Sequence, residues 1–542
     1  MFQPHPSTVD AFTVEERRAL EPYFTNVDRP VFALTGLPEV VKGALFARYS
    51  RSAKSLRRLF LDEFYDQVDR EGGAGATVGT RRAEKLYDRV FLEYGDDSVA
   101  QLGGVHLACE GVSNILTKQL EWGRLMAYLE QSTRYVPYTD RHGGLWKYHV
   151  PAELEGSPLR ERFVATLDRA FETYTRWLER MQSWFADRHP REDGVPAAAW
   201  RRSIRAKALD AVRGLLPAAT LANVGIYGTG QAYEALLLRL RSQPLREARD
   251  FADLMLEELR VVIPAFLRRV DLEGRGVRWS AYLDERRRET ARIGAGILEG
   301  LAPEPRPEVE LTDFDPDGET KVVAAALYAS SHLPDSQLLE KARRLGPDER
   351  ARVLRAYTGE RANRRHRPGR AFERTSYRFD VLADYGAFRD LQRHRILTLE
   401  WQTLGPDHGY NMAEAVADAG GAADWARVMD ETAALHGALV DEGLEAVAPY
   451  AIPMANRVRF YMEMNAREAM HLIELRTAPQ GHPSYRRVCQ TMHRLIADVA
   501  GHHAIADSMT HANHGAVELE RLEAETTAER RRTEGVGPAG SD

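Results

Sequence analysis

The chain has 542 residues, of which 44% are hydrophobic and 28% are charged, so it is long enough for several globular domains. Its net charge of −6 argues against a nucleic-acid partner, and no run of 18 apolar residues indicates a membrane span. Its two cysteines exclude a disulfide framework and fit a cytoplasmic protein.

The predicted elements begin with a strand and a helix just after residue 100. The stretch VHLAC, 105–109, alternates apolar and polar residues as a half-buried strand does. It leads into GVSNILTKQLEWGR, 111–124, whose apolar residues form a helical stripe. The same succession returns in SYRFDVLADY, 376–385, followed by GAFRDLQRHR, 386–395. This repetition predicts an internal duplication.

Domain boundaries follow from composition. The segment 299–320 is rich in proline and acidic residues and lacks helical periodicity, which is typical of a linker. We therefore expect a first unit at 25–298, a second at 321–518, and a polar tail at 519–542 that begins as a helix.

The stretch EQSTRY, 130–135, is the first candidate for binding chemistry. Glu130, Ser132 and Arg134 alternate, so on an extended segment they would point to one side. An acid, a hydroxyl and a guanidinium can bind a base edge, a sugar hydroxyl and a phosphate. The alternative is a polar loop in which Ser132 makes a local turn bond.

Further along lies the triplet Arg393, His394 and Arg395. Each guanidinium offers a planar fork of donors that binds phosphate or paired carbonyl oxygens. Two such forks beside an imidazole would suit a dinucleotide phosphate and the edge of a flavin ring. The alternative is a solvated basic helix end.

A helix is predicted for NAREAMHLIELR, 465–476. Asn465 and Arg476 are eleven residues apart and share a face, and Arg467 and His471 are one turn apart. The alternative is a helix with an apolar stripe and a solvated polar face.

Two further stretches are rich in histidine or arginine but give weaker evidence of a site. The four histidines of 502–514 lack the spacing of a zinc helix, so we expect no metal. The basic run 361–370 fits either a clamp for a phosphate-bearing ligand or a solvated loop. No glycine-rich dinucleotide fingerprint, Walker loop or G-x-S-x-G elbow occurs.

Taken together, these stretches resemble the flavin-dependent thymidylate synthases (ThyX). That family carries one contiguous signature, an Arg-His-Arg triplet followed by a Ser and then Glu-x-Ser-x-Arg-Tyr. Here the signature is divided between the halves. The first half has EQSTRY but WGR, 122–124, at the triplet position; the second has the triplet and Thr398, but lacks the second motif over 401–406.

Other family elements are divided in the same way. The stretch AVRGLLP, 211–217, resembles an Ala-Arg-x-x-Leu-Pro element and supplies Arg213, whereas the second half has Pro449 there. The stretch 465–476 resembles the long C-terminal helix of the family. Segment 47–52 resembles the N-terminal Ala-Arg-x-Ser segment of the family, and segment 94–102 resembles its Gly-His-x-Ser stretch, with Asp96 in place of the His.

The resemblance implies one complete composite site. Family homotetramers build each site from several subunits, and each half of this chain retains one of the two contributing sets. A fused chain would therefore mimic a dimer, and we expect a homodimer that mimics the tetramer. The resemblance also implies an α+β fold of two tandem units, each an antiparallel sheet wrapped by helices, with helices dominating.

The resemblance further implies the site residues and the reaction. FAD would lie on Arg393, His394, Arg395, Asn465 and His471. A uridine nucleotide would lie on Glu130, Ser132, Arg134, Arg213 and Arg476, with Ser132 and Arg476 in the catalytic roles. The reaction would be reductive C5 methylation of dUMP to dTMP with methylenetetrahydrofolate and NADPH. Modification of another uracil nucleotide or of an RNA uracil, and flavin or nucleotide binding without turnover, are the alternatives.

Overall fold

The structure is a computed structural model that describes residues 11–29, 32–49, 52, 54–65, 101–516, 519 and 521–533. These residues divide into two compact units. The first comprises the described residues of Met1–Val112, Gly123–Glu130 and Asn223–Leu301, and the second comprises those of Ser113–Trp122, Gln131–Ala222 and Ala302–Asp542. The second unit therefore holds segments from both halves of the sequence.

The described elements are helices and short strands. The strands are β1 (Gly104–Ser113), β2 (Met126–Glu130), β3 (Leu221–Thr229), β4 (Val309–Phe314), β5 (Ser376–Asp384), β6 (Thr398–Trp401) and β7 (Arg457–Asn465). The helices are α1 (Val14–Leu20), α2 (Glu39–Tyr49), α3 (Leu56–Glu63), α4 (Asn114–Leu120), α5 (Leu159–Arg188), α6 (Ala197–Val212), α7 (Gly230–Arg241), α8 (Arg246–Val262), α9 (Arg278–Ile297), α10 (Gly318–Tyr328), α11 (Asp335–Arg343), α12 (Pro347–Thr358), α13 (Tyr385–Leu391), α14 (Glu414–Asp418), α15 (Ala422–Asp441), α16 (Ala466–Arg476), α17 (Pro483–Asp498), α18 (His503–Asp507) and α19 (Leu522–Thr533).

Two sheets confirm the predicted α+β class. One has three strands in the order β1-β3-β2, with β2 antiparallel to β3. The other has four strands in the order β4-β5-β7-β6, with antiparallel pairing throughout. The alternation predicted for β5 is confirmed, because Tyr377, Phe379 and Val381 are fully buried. Their side chains form the core of the second unit with those of α13 and β7.

Four strand ends show why a helix follows each of them. Ser113, Thr229, Asp384 and Asn465 end β1, β3, β5 and β7, and each side chain accepts a hydrogen bond from a backbone N–H three residues later. Such N-caps satisfy donors that the first helical turn leaves unpaired. The strand–cap–helix unit therefore occurs twice in each half, which is the structural form of the repeat.

Some predicted segments take other conformations. Within the predicted linker 299–320, residues 309–314 form β4 because Val309 and Leu311 alternate inward against β5. The stretch 131–135 is a turn and not an extended segment, since Ser132 Oγ accepts the Arg134 N–H at 3.2 Å and Ser132 O accepts the Tyr135 N–H at 3.1 Å. The prediction that Glu130, Ser132 and Arg134 point to one side of an extended segment is therefore wrong.

The domain boundaries proposed from the sequence stay a prediction. The stretches 47–52 and 94–102 lie partly outside the described residues, as does the tail 519–542, of which 522–533 form α19. None of the described helices has both the length and the apolar character needed to cross a bilayer.

Candidate functional site

Asp390, on α13, is the point on which three predicted site arginines converge. Arg213 Nη1 lies 3.3 Å from Asp390 Oδ2, Arg476 Nη1 lies 3.8 Å from Oδ1, and Arg393 forms an ion pair with Oδ1. Burial opposes ionisation of Asp390, yet the guanidiniums of Arg393, Arg213 and Arg476 hold its pKa well below the ordinary value. Asp390 is therefore a buried carboxylate that binds arginines from both halves of the sequence.

Arg134 is held by a second buried acid. Its Nε and Nη2 donate to Asp210 Oδ1 and Oδ2 at 2.7 and 2.6 Å, a bidentate pair, and its Nη1 donates to the Tyr485 hydroxyl at 2.9 Å. Burial opposes ionisation of Asp210, but Arg134 lowers its pKa to about 2. Arg521 Nη2 lies 3.6 Å from the same carboxylate.

Both acids were missed by reasoning from the sequence. Asp210 lies three residues before Arg213, and Asp390 lies three residues before Arg393. An acid and an arginine at this spacing face each other on a helix, so the signal was present in the local pattern. Because such pairs are common on solvated helices, the pattern alone does not show that these two are buried.

His394 links the triplet to α16. Arg476 Nε donates to His394 Nε2 at 3.0 Å, so the proton of the neutral ring lies on Nδ1, which faces Glu468 Oε1 at 3.2 Å. Burial, followed by the charge of Arg476, lowers the pKa of His394 well below its ordinary value. Burial also raises the pKa of Glu468 to about 7.

The basic run 361–370 packs against α16. Arg361 Nη1 and Nη2 donate to the two carboxylate oxygens of Glu474 at 2.6 Å each, and both side chains are about 1% exposed. Arg467 Nε donates to Pro368 O at 2.9 Å, and Arg367 Nη2 lies 3.1 Å from His471 Nδ1. The run therefore adds positive charge beside His471.

This charge bears on whether the site suits a metal ion. His394, Glu468 and His471 offer ligand atoms within 4.8 Å of one another. Burial and then the guanidiniums of Arg367, Arg364, Arg476 and Arg467 together lower the pKa of His471 to about 4. Because these guanidiniums surround the group, it suits an anion better than a cation.

The other predicted site residues take distinct places. Asn465 caps α16, with its Oδ1 accepting the Glu468 N–H at 2.9 Å. Arg395 is exposed, Ser132 lies in the turn before Arg134, and Glu130 ends β2 in the first compact unit. The remaining predicted residues of both sets lie in the second unit.

Comparison with protein families shows that one family model matches both halves of the chain. The family model described as "Thymidylate synthase complementing protein" matches residues 44–265 and again residues 310–501. The chain belongs to the flavin-dependent thymidylate synthase family. The two matches confirm the predicted tandem arrangement of ThyX-like units.

Two relatives align with this chain over nearly their whole length, and a third aligns with part of it. A UPF0159 protein of Chlamydia muridarum is 36% identical over 526 residues, covering 95% of this chain and 98% of the relative. A UPF0159 protein of Thermoplasma acidophilum is 30% identical over 512 residues, covering 89% and 97%. The flavin-dependent thymidylate synthase of Mycobacterium marinum is 31% identical over 181 residues, covering 33% of this chain and 66% of the enzyme.

Among solved structures, the UMP/dUMP methylase PolB of Streptomyces cacaoi, bound with 5-Br dUMP, aligns with this ThyX-like chain. It covers 37% of this chain and 93% of its own, with 21% identity and a TM-score of 0.29. At this score the likeness carries no conclusion about the substrate of this chain.

Proposed function

We propose that the protein is an FAD-dependent, thymidylate synthase-like methyltransferase that converts dUMP to dTMP with methylenetetrahydrofolate and NADPH. The observation that carries the proposal is the convergence on Asp390. Arg213, from the half that keeps the nucleotide motif, and Arg393 and Arg476, from the half that keeps the triplet, contact one carboxylate. One arginine of the first set and two of the second thereby meet at one carboxylate within a single compact unit.

The nucleotide side of this cluster supplies positive charge in a buried setting. Arg213 and Arg134 are 4% and 8% exposed, and burial lowers the pKa of Arg476, although Asp390 opposes that effect. Guanidiniums screened from water stabilise negative charge on a phosphate or on pyrimidine oxygens more strongly than exposed ones do. In the proposed reaction Arg476 stabilises charge on the uracil ring, and Ser132 and Arg134 hold the nucleotide. The role of Glu130 in binding the nucleotide stays a prediction from the sequence.

The residues beside the triplet fit a flavin dinucleotide. Arg393, Arg395, Arg367 and Arg467 provide charge for a diphosphate, and His394 and His471 are neutral at pH 7 because burial lowers their pKa. Asn465 would contact the cofactor through its free amide edge, since its Oδ1 is used as the helix cap. Bound FAD would supply the hydride, and the chain would bind, orient and shield it.

The proposed assembly is a homodimer. Each chain would contribute one composite site, and two chains would take the place of the four subunits of the family tetramer.

A spectroscopic experiment tests the proposed function. The purified protein is supplied with FAD, its visible spectrum is recorded, and NADPH is added anaerobically with and without dUMP. We expect a flavin spectrum that bleaches faster with dUMP, and dTMP after methylenetetrahydrofolate is added. Faster bleaching of the bound flavin with UMP or a uracil oligonucleotide, but not with dUMP, would show that dUMP is not the substrate. If the protein takes up no FAD, the proposed enzyme activity is contradicted.

A further inference from the structure

The chain beyond the second family match returns to the turn at 131–135. That match ends at residue 501, whereas α19 begins at residue 522, and the turn and α19 both belong to the second unit. Arg521, directly before α19, is only 6% exposed. Because arginines are rarely so buried unless they are paired, the partners of Arg521 indicate what this residue does.

Arg521 contacts Arg134 in three ways. Its Nη1 donates to the Arg134 carbonyl oxygen at 3.2 Å. Its Nη2 lies 3.6 Å from Asp210 Oδ2, which also accepts a hydrogen bond from Arg134 Nη2 at 2.6 Å. Its guanidinium carbon lies 4.3 Å from the centre of the Tyr135 ring, within the range of a cation–π contact. One side chain therefore engages the backbone of Arg134, its counterion and the residue that follows it.

These contacts add long-range restraint to a turn that is otherwise closed by local bonds. Within the turn, the Tyr135 and Val136 N–H groups each donate to Ser132 O at 3.1 Å. Arg521 binds the same turn from a position 387 residues further along the chain. Because it holds the Arg134 backbone and also approaches the Asp210 carboxylate, it limits how the Arg134 side chain can move relative to that acid. A binding side chain held in this way loses less freedom when a ligand arrives.

The chain is fastened on both sides of Arg521. Before it, Arg486 Nη2 donates to Gly515 O at 2.9 Å. After it, Arg202 on α6 donates to Glu525 and Glu529 of α19 at 2.6 Å each. These anchors lie on α17 and α6, two helices of the second unit, so Arg521 is held at the turn from both directions.

We propose that Arg521 is a positioning residue for Arg134, and that the C-terminal segment 521–533 thereby supports the nucleotide-binding site. Arg521 acts through Arg134 and does not touch the nucleotide. The inference rests on the proposed function for the identity of the ligand, a uridine nucleotide. The hold of Arg521 on the turn itself does not depend on any ligand.

Hydrogen exchange followed by mass spectrometry tests this hold in the full-length protein without ligand. In Arg521→Ala, we expect the amides of 134–136 to exchange about tenfold faster than in wild type, because one long-range hydrogen bond is lost. Arg521→Lys should recover part of the protection, since its ammonium can still donate to the Arg134 carbonyl. The matched control is Arg531→Ala, at an exposed position of α19, which should exchange like wild type.

Calorimetric titration with dUMP tests the consequence for binding. With FAD-loaded protein, Arg521→Ala should bind dUMP about tenfold more weakly than Arg531→Ala does. The affinity of the two variants for FAD should be equal, because Arg521 has no contact with the residues beside the triplet that are assigned to the flavin. A general loss of folding would lower both affinities, and circular dichroism checks that each variant is folded.

Two results would overturn the proposal. One is unchanged exchange at 134–136 in Arg521→Ala, and the other is faster exchange with unchanged dUMP affinity. A wild-type protein that binds neither dUMP nor UMP would contradict the proposed function instead. The exchange measurement would then decide by itself whether Arg521 holds Arg134, so the two failures are distinct.

Discussion

Asp390 determines how the arginines of the cluster are arranged. It is 7% exposed, and the guanidiniums of Arg213, Arg393 and Arg476 lie around its two oxygens. A buried carboxylate in this setting compensates charges that would otherwise repel one another. In the same position it competes with any external anion for these guanidiniums.

Asp390→Asn should lower stability and increase the response to anions. Removing the charge leaves the buried Arg213 and the partly exposed Arg393 and Arg476 without their shared counterion, so we expect the free energy of unfolding to fall by about 3 kcal/mol. Added phosphate should then raise the melting temperature of the variant more than that of wild type. The matched control is Asp430→Asn at an exposed position. Equal stability and equal phosphate response in variant and wild type would contradict this role.

Glu468 should make stability depend on pH. Burial raises its folded pKa to about 7 from the ordinary value of 4.5, so the folded state binds more protons between these values. Its contribution is present below about pH 4.5 and is lost as pH rises through 7. Compared with Glu468→Gln, wild type should therefore lose roughly 3 kcal/mol between pH 4.5 and 7.5.

Denaturant unfolding of both proteins across this range measures the difference. His394 and His471, whose lowered pKa values make stability fall with acid, are present in both proteins, so the difference reports the titration of Glu468 and its coupling to these histidines. A difference that is constant with pH would show that Glu468 titrates normally.

Single residues were predictable where local chemistry decides their role. The buried face of β5 was predicted from alternation, whereas Asn465, which the sequence placed on the helix, ends β7 and caps α16. The turn at Ser132 was one of two alternatives that the sequence left open, because residue type does not show whether the hydroxyl bonds locally. Asp210 and Asp390 acquire their role only when the chain folds back and buries them.

At the scale of elements, the basic run 361–370 is the segment whose place could not be predicted. Nothing in its composition separates a solvated loop from a clamp. The buried bidentate pair of Arg361 with Glu474 fixes it to α16 across 113 positions of sequence. Long-range pairing of this kind leaves no local pattern.

Arg367→Ala should weaken FAD binding, because its guanidinium lies beside His471 and adds charge for a diphosphate. Loss of one charge-assisted hydrogen bond predicts an affinity about tenfold lower. The matched control is Arg370→Ala, whose side chain is 85% exposed and pairs with Glu373. Fluorescence titration with FAD measures the affinity of both variants. If Arg367→Ala binds FAD as tightly as Arg370→Ala does, Arg367 does not contribute to the site.

At the scale of the molecule, the tandem repeat and the α+β class were predictable from motif order. The residue ranges that pack together were not, since 113–122 and 131–222 join the second compact unit. Whether the two motif sets meet within one chain or between chains depends on this packing. Arg213 and Arg393 meet at one carboxylate of one chain.

The most direct test of this central claim is a mixing experiment. Arg134→Ala and Arg393→Ala chains are co-expressed, checked for folding by circular dichroism, and assayed for dUMP-stimulated flavin reduction by NADPH. Because the proposed site takes both arginines from one chain, we expect the mixture to be no more active than either variant alone. Recovery of about a quarter of wild-type activity, as random pairing of sites shared between two chains would give, would contradict it.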